Sequence, residues 1–253
     1  MENTKVSVER VLPTGSKAFD DLIGGGVRYG LLTDIYGESG TGKSQFCFTI
    51  CAKSVENSES PEKKSVVFVD TAGTFRPERV AEILGGDLDR KNLLEHILVV
   101  RALSTHDQTD AVKRLPRYNP RLVVIDDVAT LFSSEYVGAA RHLALMKHLH
   151  DLSLAAINLN CAIVITNMVR NVPSLDQKTR SPRIDRTSLG RVETMPNSET
   201  REFMGTSVSI YAHMKLMLKV ANPNDLVFKG IMLQPLRKKE TYYKISTRGI
   251  TDI

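Results

Sequence analysis

Lys43 and Ser44 follow Gly37-Glu38-Ser39-Gly40-Thr41-Gly42, and the eight residues fit the phosphate-loop pattern G-x-x-x-x-G-K-[ST]. Glycines let the backbone curl so that successive N–H groups face phosphate oxygens, and the helix that follows adds the positive end of its dipole. In such a loop the lysine reaches the β- and γ-phosphates and the Ser44 hydroxyl sits on Mg²⁺. The spacing therefore predicts a nucleotide-phosphate site built from Gly37, Glu38, Ser39, Gly40, Thr41, Gly42, Lys43 and Ser44, with Mg²⁺ on Ser44.

A cation needs an acid facing the loop. Leu122-Val123-Val124-Ile125 runs straight into Asp126-Asp127. An acid at the carboxyl end of a buried strand holds Mg²⁺, directly or through water, opposite the loop hydroxyl. Asp126 takes that role. A third feature is electrostatic. Residues 167–203 hold three prolines and no apolar period, and from 170 to 191 they carry Arg170, Lys178, Arg180, Arg183, Arg186 and Arg191 against Asp176 and Asp185. Spaced arginines on a long basic loop can neutralise a nucleic-acid backbone, and a loop of this length in a domain is functional or disordered.

The elements that position these residues are legible as patterns. Leu31, Leu32, Ile35 and Tyr36 predict a strand before the phosphate loop, and Cys47, Ile50, Cys51 and Val55 predict one face of the helix after it. Val66–Asp70, Ile97–Val100, Leu122–Asp127 and Cys161–Thr166 read as buried parallel strands. Between them, Pro77 suits a helix first turn and Gly85-Gly86 its stop, while Ser104 with Asp107 opens a helix in capping-box fashion. Arg141–Asn158 predicts a helix with Leu145, Leu149, Leu152 and Ala156 on one face, leaving His142, His148 and His150 at the surface. Glu56–Lys64 reads as a loop, and Lys215–Ala221, Val227–Gln234 and Thr241–Ser246 as three closing strands in antiparallel hairpins. The expected fold is α/β: a mostly parallel sheet flanked by helices, with antiparallel hairpins at its C-terminal edge and ligand at the strands' carboxyl ends.

The composition permits this and excludes other classes. A chain of 253 residues suits one domain across 1–253, with residues 1–30 as a lead-in. No apolar run approaches the roughly 18 residues of a membrane span, and no signal peptide is visible. Three cysteines make no disulfide framework, and no cluster completes a metal shell around Cys47 and Cys51. A net charge of +5 allows nucleic acid as a partner without requiring it.

Taken together the chain resembles the RecA-family recombinases, in their archaeal RadA/RadB and eukaryotic recombinase branch. The likeness rests on TGSKAFDDLIGGGV, GESGTGKSQ, VDTAGTFRPERV, RALSTHDQT, LVVIDDVATLF, VITNMV and ISTRGITDI, and it covers nearly the whole length. It implies a RecA-type core, ATP with Mg²⁺, single-stranded DNA as a partner, and association with itself or with a related recombinase. It also implies that Gln45 and Arg79 belong to the nucleotide site, with Arg79 over the adenine, and that Arg141 joins the loop cations in contacting DNA. Location inside the cell follows from the same likeness, nucleoid-associated in the cytoplasm, or nuclear in a eukaryote.

Departures from the family pattern shape the expected activity. Ala72 stands where VDTEGTFRPER has the glutamate that polarises the attacking water, and Met168 where TNQV has a glutamine linking the γ-phosphate to the DNA loop. About a dozen residues precede TGSK, so the family's N-terminal helical DNA-binding domain and aromatic polymerisation motif are expected to be absent. The loop after Asp126 is shortened, and the proline-rich stretch that caps a neighbour's ATP is not recognisable near Gln234-Pro235. A positioned general base is worth about 10²–10⁴-fold, or roughly 3–5 kcal/mol of barrier. Its loss leaves binding nearly intact and turnover slow, with Asp127, placed where other phosphate-loop ATPases carry their catalytic carboxylate, as a tentative catalytic replacement or as structural support for Asp126. The resulting expectation is a RadB-like accessory protein of recombination and DNA repair that holds ATP without brisk hydrolysis. The alternatives are an active strand-exchange recombinase and a KaiC-like signalling ATPase without a DNA role.

Overall fold

Strands buried on both faces write continuous apolar runs, and Val66–Val69, Leu122–Ile125 and Ala162–Ile165 are such runs inside one large sheet. Ile97–Val100, expected to be buried, lies at its edge with Val99 exposed. The computed structural model describes residues 11–56, 65–86, 92–173, 198–235 and 239–253. The strands are β1 (Val11–Leu12), β2 (Val27–Arg28), β3 (Leu32–Gly37), β4 (Val66–Asp70), β5 (Ile97–Arg101), β6 (Leu122–Asp126), β7 (Ala162–Pro173), β8 (Ser198–Glu202), β9 (Met214–Asn222), β10 (Val227–Gln234), β11 (Lys239–Ser246) and β12 (Gly249–Asp252). The helices are α1 (Lys17–Ile23), α2 (Lys43–Glu56), α3 (Pro77–Ile83), α4 (Thr105–Tyr118), α5 (Thr130–Glu135), α6 (Gly138–Leu159) and α7 (Gly205–Tyr211).

Among the described residues, ten strands form the main sheet in the order β12-β11-β10-β9-β3-β7-β6-β4-β5, with β8 paired to β7 off this path. The pairings β3–β7, β7–β6, β6–β4, β4–β5 and β3–β9 are parallel, and those from β9 to β12 are antiparallel. This is the expected mostly parallel sheet with antiparallel strands at its C-terminal edge. One apolar cluster fills the face under α1, α2 and α3, and a second fills the face under α4, α5, α6 and α7. The phosphate loop and Asp126 stand at the carboxyl ends of β3 and β6, side by side through β7.

Several elements differ from the sequence reading. The helix after the phosphate loop is buried far beyond one face, from Phe46 to Ala52, because α1 and α3 cover what the sheet does not. Residues 167–203 do not form one loop: β7 runs on to Pro173, and β8 returns antiparallel from Ser198, with Arg170 opposite Arg201. The mutual pairing that makes these residues strand involves partners about thirty positions apart, which no local period reveals. Lys178, Arg180, Arg183, Arg186 and Arg191 lie outside the described residues, as do positions 57–64 of the expected Glu56–Lys64 loop.

The closing region holds four strands, since Gly249–Asp252 adds β12 to the three expected. Its first strand, β9, joins the sheet parallel to β3 on one side and forms the expected antiparallel hairpin with β10 on the other. His148 is buried at 1% exposure, while His142 and His150 are exposed. Helix α6 begins earlier than expected, at Gly138, and His148, one position before Leu149 at the edge of its buried face, packs against Phe132 and Gln108.

The lead-in is tied down by the far end of the chain. Ser16 caps α1 by accepting from the Phe19 N–H, and Asp252 accepts from Ser16 Oγ and from the N–H groups of Lys17 and Ala18. Phe19 packs against Phe46 and Tyr243 with ring centroids 5.2 and 5.0 Å apart. These contacts seat α1 and β11 beside the helix that carries Lys43.

Candidate functional site

Strand β3 ends at Gly37, and the chain turns through Glu38–Gly42 into α2. Two glycines adopt backbone angles that L side chains rarely take, Gly40 at φ 79° and Gly42 at φ 91°. At Gly42 a Cβ would also stand 2.9 Å from Ile245 Cδ1, so a side chain there would displace the tip of Ile245 on β11. The turn is pinned from within by Thr41 Oγ1 donating to the Glu38 carbonyl at 2.8 Å, and from β11 by Tyr243 OH donating to the Thr41 carbonyl at 2.6 Å. Lys43 Nζ folds back to donate to the Gly37 carbonyl at 2.9 Å and the Glu38 carbonyl at 2.8 Å. Burial pushes its ammonium below the usual lysine range, and the nearby carboxylates of Asp127 and Asp126 pull the other way.

Ser44 Oγ donates to Asp126 Oδ2 at 2.7 Å, joining the start of α2 to the end of β6. The same oxygen accepts from Thr74 Oγ1 at 3.3 Å, and Asp126 Oδ1 accepts from Thr166 Oγ1. Three hydroxyls thus aim the Asp126 carboxylate at the loop. Asp127 has its carboxylate held by backbone groups. Its Oδ1 accepts from the N–H groups of Ala129 at 2.7 Å and Thr130 at 3.0 Å, while its backbone N–H and carbonyl both bond to Thr71 Oγ1. Burial pushes its carboxyl up to about 6. This arrangement starts α5 and steadies the end of β6.

The chain after β4 borders the site. Asp70 Oδ1 accepts from the N–H groups of Ala72, Gly73 and Thr74 at 3.2, 2.7 and 3.1 Å, and Oδ2 accepts from Phe75 N–H and from Arg101. The fan of amides fixes the turn on which Ala72 presents a bare methyl to solvent and Thr74 faces Asp126. Arg79 donates from Nε to Gln45 Oε1 at 2.8 Å and from its terminal nitrogens to the Ser246 and Thr247 carbonyls and Glu82. Arg79 and Gln45 therefore meet at the rim where α2, α3 and the β11–β12 turn converge.

The donor set suits a magnesium nucleotide. Ser44 and Asp126 offer paired hard oxygens of the kind a small divalent cation prefers. The turn between Gly37 and Gly42 presents amides at the head of a helix of 14 residues. Lys43 holds only backbone carbonyls, which phosphate oxygens can replace as its partners. Among the described residues no group of three or more His, Cys, Asp or Glu gathers elsewhere as a metal shell, and Cys47, Cys51 and Cys161 are buried free thiols.

On the neighbouring face the structure brings Arg141 and Arg170 together around Phe203. The Arg170 guanidinium lies 3.8 Å over the Phe203 ring and donates to Ser133 Oγ, while the Arg141 guanidinium lies 6.0 Å from the same ring and donates to the Tyr136 carbonyl. Sequence reasoning missed Phe203, Thr74, Thr166, Asp70 and Tyr243. Thr74 lies within a quoted motif, and Thr166 sits at a strand's carboxyl end. Which carboxylate each hydroxyl would meet depends on strand order, and no local signal carries that.

The sequence signature of the Rad51 family matches residues 7–253. Similar proteins include the DNA repair and recombination protein RadA of Cenarchaeum symbiosum, 36% identical, covering 96% of this chain and 58% of the relative. RadA of Ignicoccus hospitalis is 32% identical, covering 96% of this chain and 73% of the relative. The meiotic recombination protein DMC1 of Saccharomyces cerevisiae is 29% identical, covering 95% and 71%. The chain thus spans between 58% and 73% of the length of these relatives.

Proposed function

The chain belongs to the Rad51 family, and on that footing we propose that it is a RadB-like paralogue that binds ATP, Mg²⁺ and single-stranded DNA and assists a recombinase in recombination and repair. The relatives' printed names as repair and recombination proteins support the process. The observation that carries the accessory reading is the contrast at the nucleotide site. Lys43 is held by loop carbonyls, and Ser44 and Asp126 by hydroxyl contacts. The turn opposite them carries Ala72, and its one carboxylate, that of Asp70, is taken up by the turn's own amides and Arg101.

In this reading Lys43 and the amides of Glu38–Gly42 hold the phosphates, and Ser44 with Asp126 holds the metal. Bound Mg²⁺ and ATP supply neutralised phosphate charge at the carboxyl ends of β3 and β6. Gln45 and Arg79 border the base. The nucleotide then acts as a ligand that biases the protein toward its DNA- or partner-binding state, by as much as its affinity differs between states. Arg141 and Arg170 offer cations to the nucleic-acid backbone, with Phe203 between them, and the basic residues 178–191 extend the same charge. The partner is a second copy or a related recombinase. One domain spans the chain, working at the nucleoid or in the nucleus; among the described residues no helix is long and apolar enough to cross a membrane.

The test pairs equilibrium binding of a fluorescent ATP analogue with phosphate release, each with and without single-stranded DNA. Tight Mg²⁺-dependent binding, abolished by Lys43→Ala, with negligible phosphate release is the expected result. Brisk metal-dependent release that survives Asp127→Asn would instead mark an active strand-exchange enzyme. Failure to bind single-stranded DNA at low salt would favour a signalling ATPase.

A further inference from the structure

A buried ionic cluster joins the β7–β8 hairpin to the strand that feeds the phosphate loop. Asp34 on β3 is fully buried, and Lys215 on β9 lies directly across from it in the parallel register. Lys215 Nζ stands 3.4 Å from Asp34 Oδ2, pairs with Glu202 Oε2 at the end of β8, and donates to Ser209 Oγ of α7 at 2.8 Å. The Lys215 and Glu202 side chains are 6% and 9% exposed. Asn167 on β7 closes the cluster by donating to Glu202 Oε1 at 3.1 Å and to the Phe203 carbonyl at 2.8 Å. The Tyr36 ring flanks the ammonium with its centroid 5.3 Å away.

This is an expensive arrangement for a mere packing contact. Two carboxylates share one ammonium out of water, and neither Asp34 oxygen makes a well-formed hydrogen bond. Hydrophobic side chains of similar volume fill such space at no cost in stability or with a gain, whereas removing one partner of a buried pair leaves a charge uncompensated. Burial, and then the charge of Glu202, push the Asp34 carboxyl well above the usual carboxylate range. The cluster also sits between two working ends. Asp34 lies three residues before Gly37, and Tyr36 and Gly37 pair with Asn167 and Met168. Glu202 pairs with Val169 and directly precedes Phe203, the ring between Arg141 and Arg170.

We propose that Lys215 is a positioning residue: by bridging Glu202 and Asp34 it fixes the base of the β7–β8 hairpin to the phosphate-loop strand, so that nucleotide and single-stranded DNA affinities depend on each other. The proposal rests on the ATP- and DNA-binding reading above and adds the route by which its two sites communicate. Met168, the other residue at this junction beside the loop, has no group that could serve as an ionic link. Coupling of this kind is reciprocal and typically amounts to about 5–150-fold.

The experiment measures single-stranded DNA affinity with and without a non-hydrolysable ATP analogue and Mg²⁺, and analogue affinity with and without DNA, in the whole chain. In the wild type each ligand tightens the other at least about fivefold. In the double variant Glu202→Gln/Lys215→Met, which removes the ammonium together with the carboxylate nearest to it, the factor falls below about twofold while each ligand alone binds within about twofold of wild type. Lys215→Arg, which keeps the bridging charge, restores the factor. Should the double variant not fold, Glu202→Gln alone is read in the same way. An unchanged factor in these variants overturns the proposal, as does a parallel loss of both affinities together with thermal stability. A wild type that binds both ligands without coupling overturns it and leaves the functional reading standing; one that binds neither overturns both.

Discussion

Ser44 and Asp126, 82 positions apart in the chain, meet with the serine hydroxyl donating to Asp126 Oδ2 at 2.7 Å. The parallel order β3-β7-β6 brings them together, and Thr74 and Thr166 hold the carboxylate from two further elements. Side chains already aimed by packing give a cation its ligands without a further ordering cost.

Asp126→Asn should therefore separate metal dependence from phosphate binding. The amide keeps the shape and one acceptor oxygen but loses the charge that a divalent cation requires. Mg²⁺ is expected to tighten a labelled ATP analogue at least about tenfold less than in wild type, because losing a charged ligand removes more than about 1.4 kcal/mol. Affinity measured in a chelator should stay near the wild-type value. An Mg²⁺ response equal to wild type would place the metal elsewhere.

Ala72→Glu should raise ATP hydrolysis at least about tenfold, a part of the roughly 10²–10⁴-fold that a fully positioned general base supplies. The Ala72 methyl is exposed, and its N–H is held by Asp70 along with those of Gly73 and Thr74, so a longer side chain there keeps the turn. Steady-state phosphate release with Mg²⁺ and single-stranded DNA reads the change. No gain in the variant, against unchanged nucleotide affinity, would show that the missing carboxylate is not what limits turnover.

How legible these features are in the sequence follows from where the information lies. Val66–Asp70 and Leu122–Asp126 are readable because a strand covered on both faces is apolar at every position, and the acid at its end interrupts that run. The phosphate loop is readable because glycine, lysine and serine are each needed for local reasons. The β7–β8 pairing is not, since Asn167–Pro173 and Ser198–Glu202 become strand only through each other. Ala72 is visible as a departure, whereas the roles of Thr74, Thr166 and Asp70 depend on which strands become neighbours. His148 is the marginal case: Leu145, Leu149 and Leu152 mark the buried face of α6, and a histidine next to Leu149 falls at the edge of that face, where the packing of α4 and α5 decides its burial.

Arg141→Ala and Arg170→Ala should each weaken single-stranded DNA binding uniformly across sequences. Each removes one cation that can neutralise a phosphate, so the slope of log affinity against log salt should fall by up to about one for each phosphate left without its cation. Arg170 also stacks on Phe203 and bonds Ser133, so its variant should show the larger effect. Salt titrations of a fluorescent oligonucleotide between low and physiological ionic strength decide this. Slopes equal to wild type in both variants would remove this face from the nucleic-acid interface.

His148 should impose an acid limit on stability. It is buried on α6 with its ring 5.2 Å from that of Phe132, and its Nε2 lies 3.1 Å from Gln108 Nε2. Burial pushes the imidazole down to about 4, against an ordinary value near 6.5. Between those two values the unfolded chain takes up a proton that the folded protein refuses, so acid favours unfolding. The stabilising contribution is intact above about pH 6.5 and is lost as pH falls toward 4, by up to about 3 kcal/mol at roughly 1.36 kcal/mol per pH unit. Urea unfolding midpoints measured from pH 4 to 7 should fall steeply with acid in the wild type. In His148→Gln, which cannot titrate, the fall should be shallower by that amount, while other groups such as His213 continue to contribute equally to both proteins. Parallel profiles for the two proteins would mean that His148 accepts a proton in the folded state as readily as in water, and that its burial carries no pH dependence.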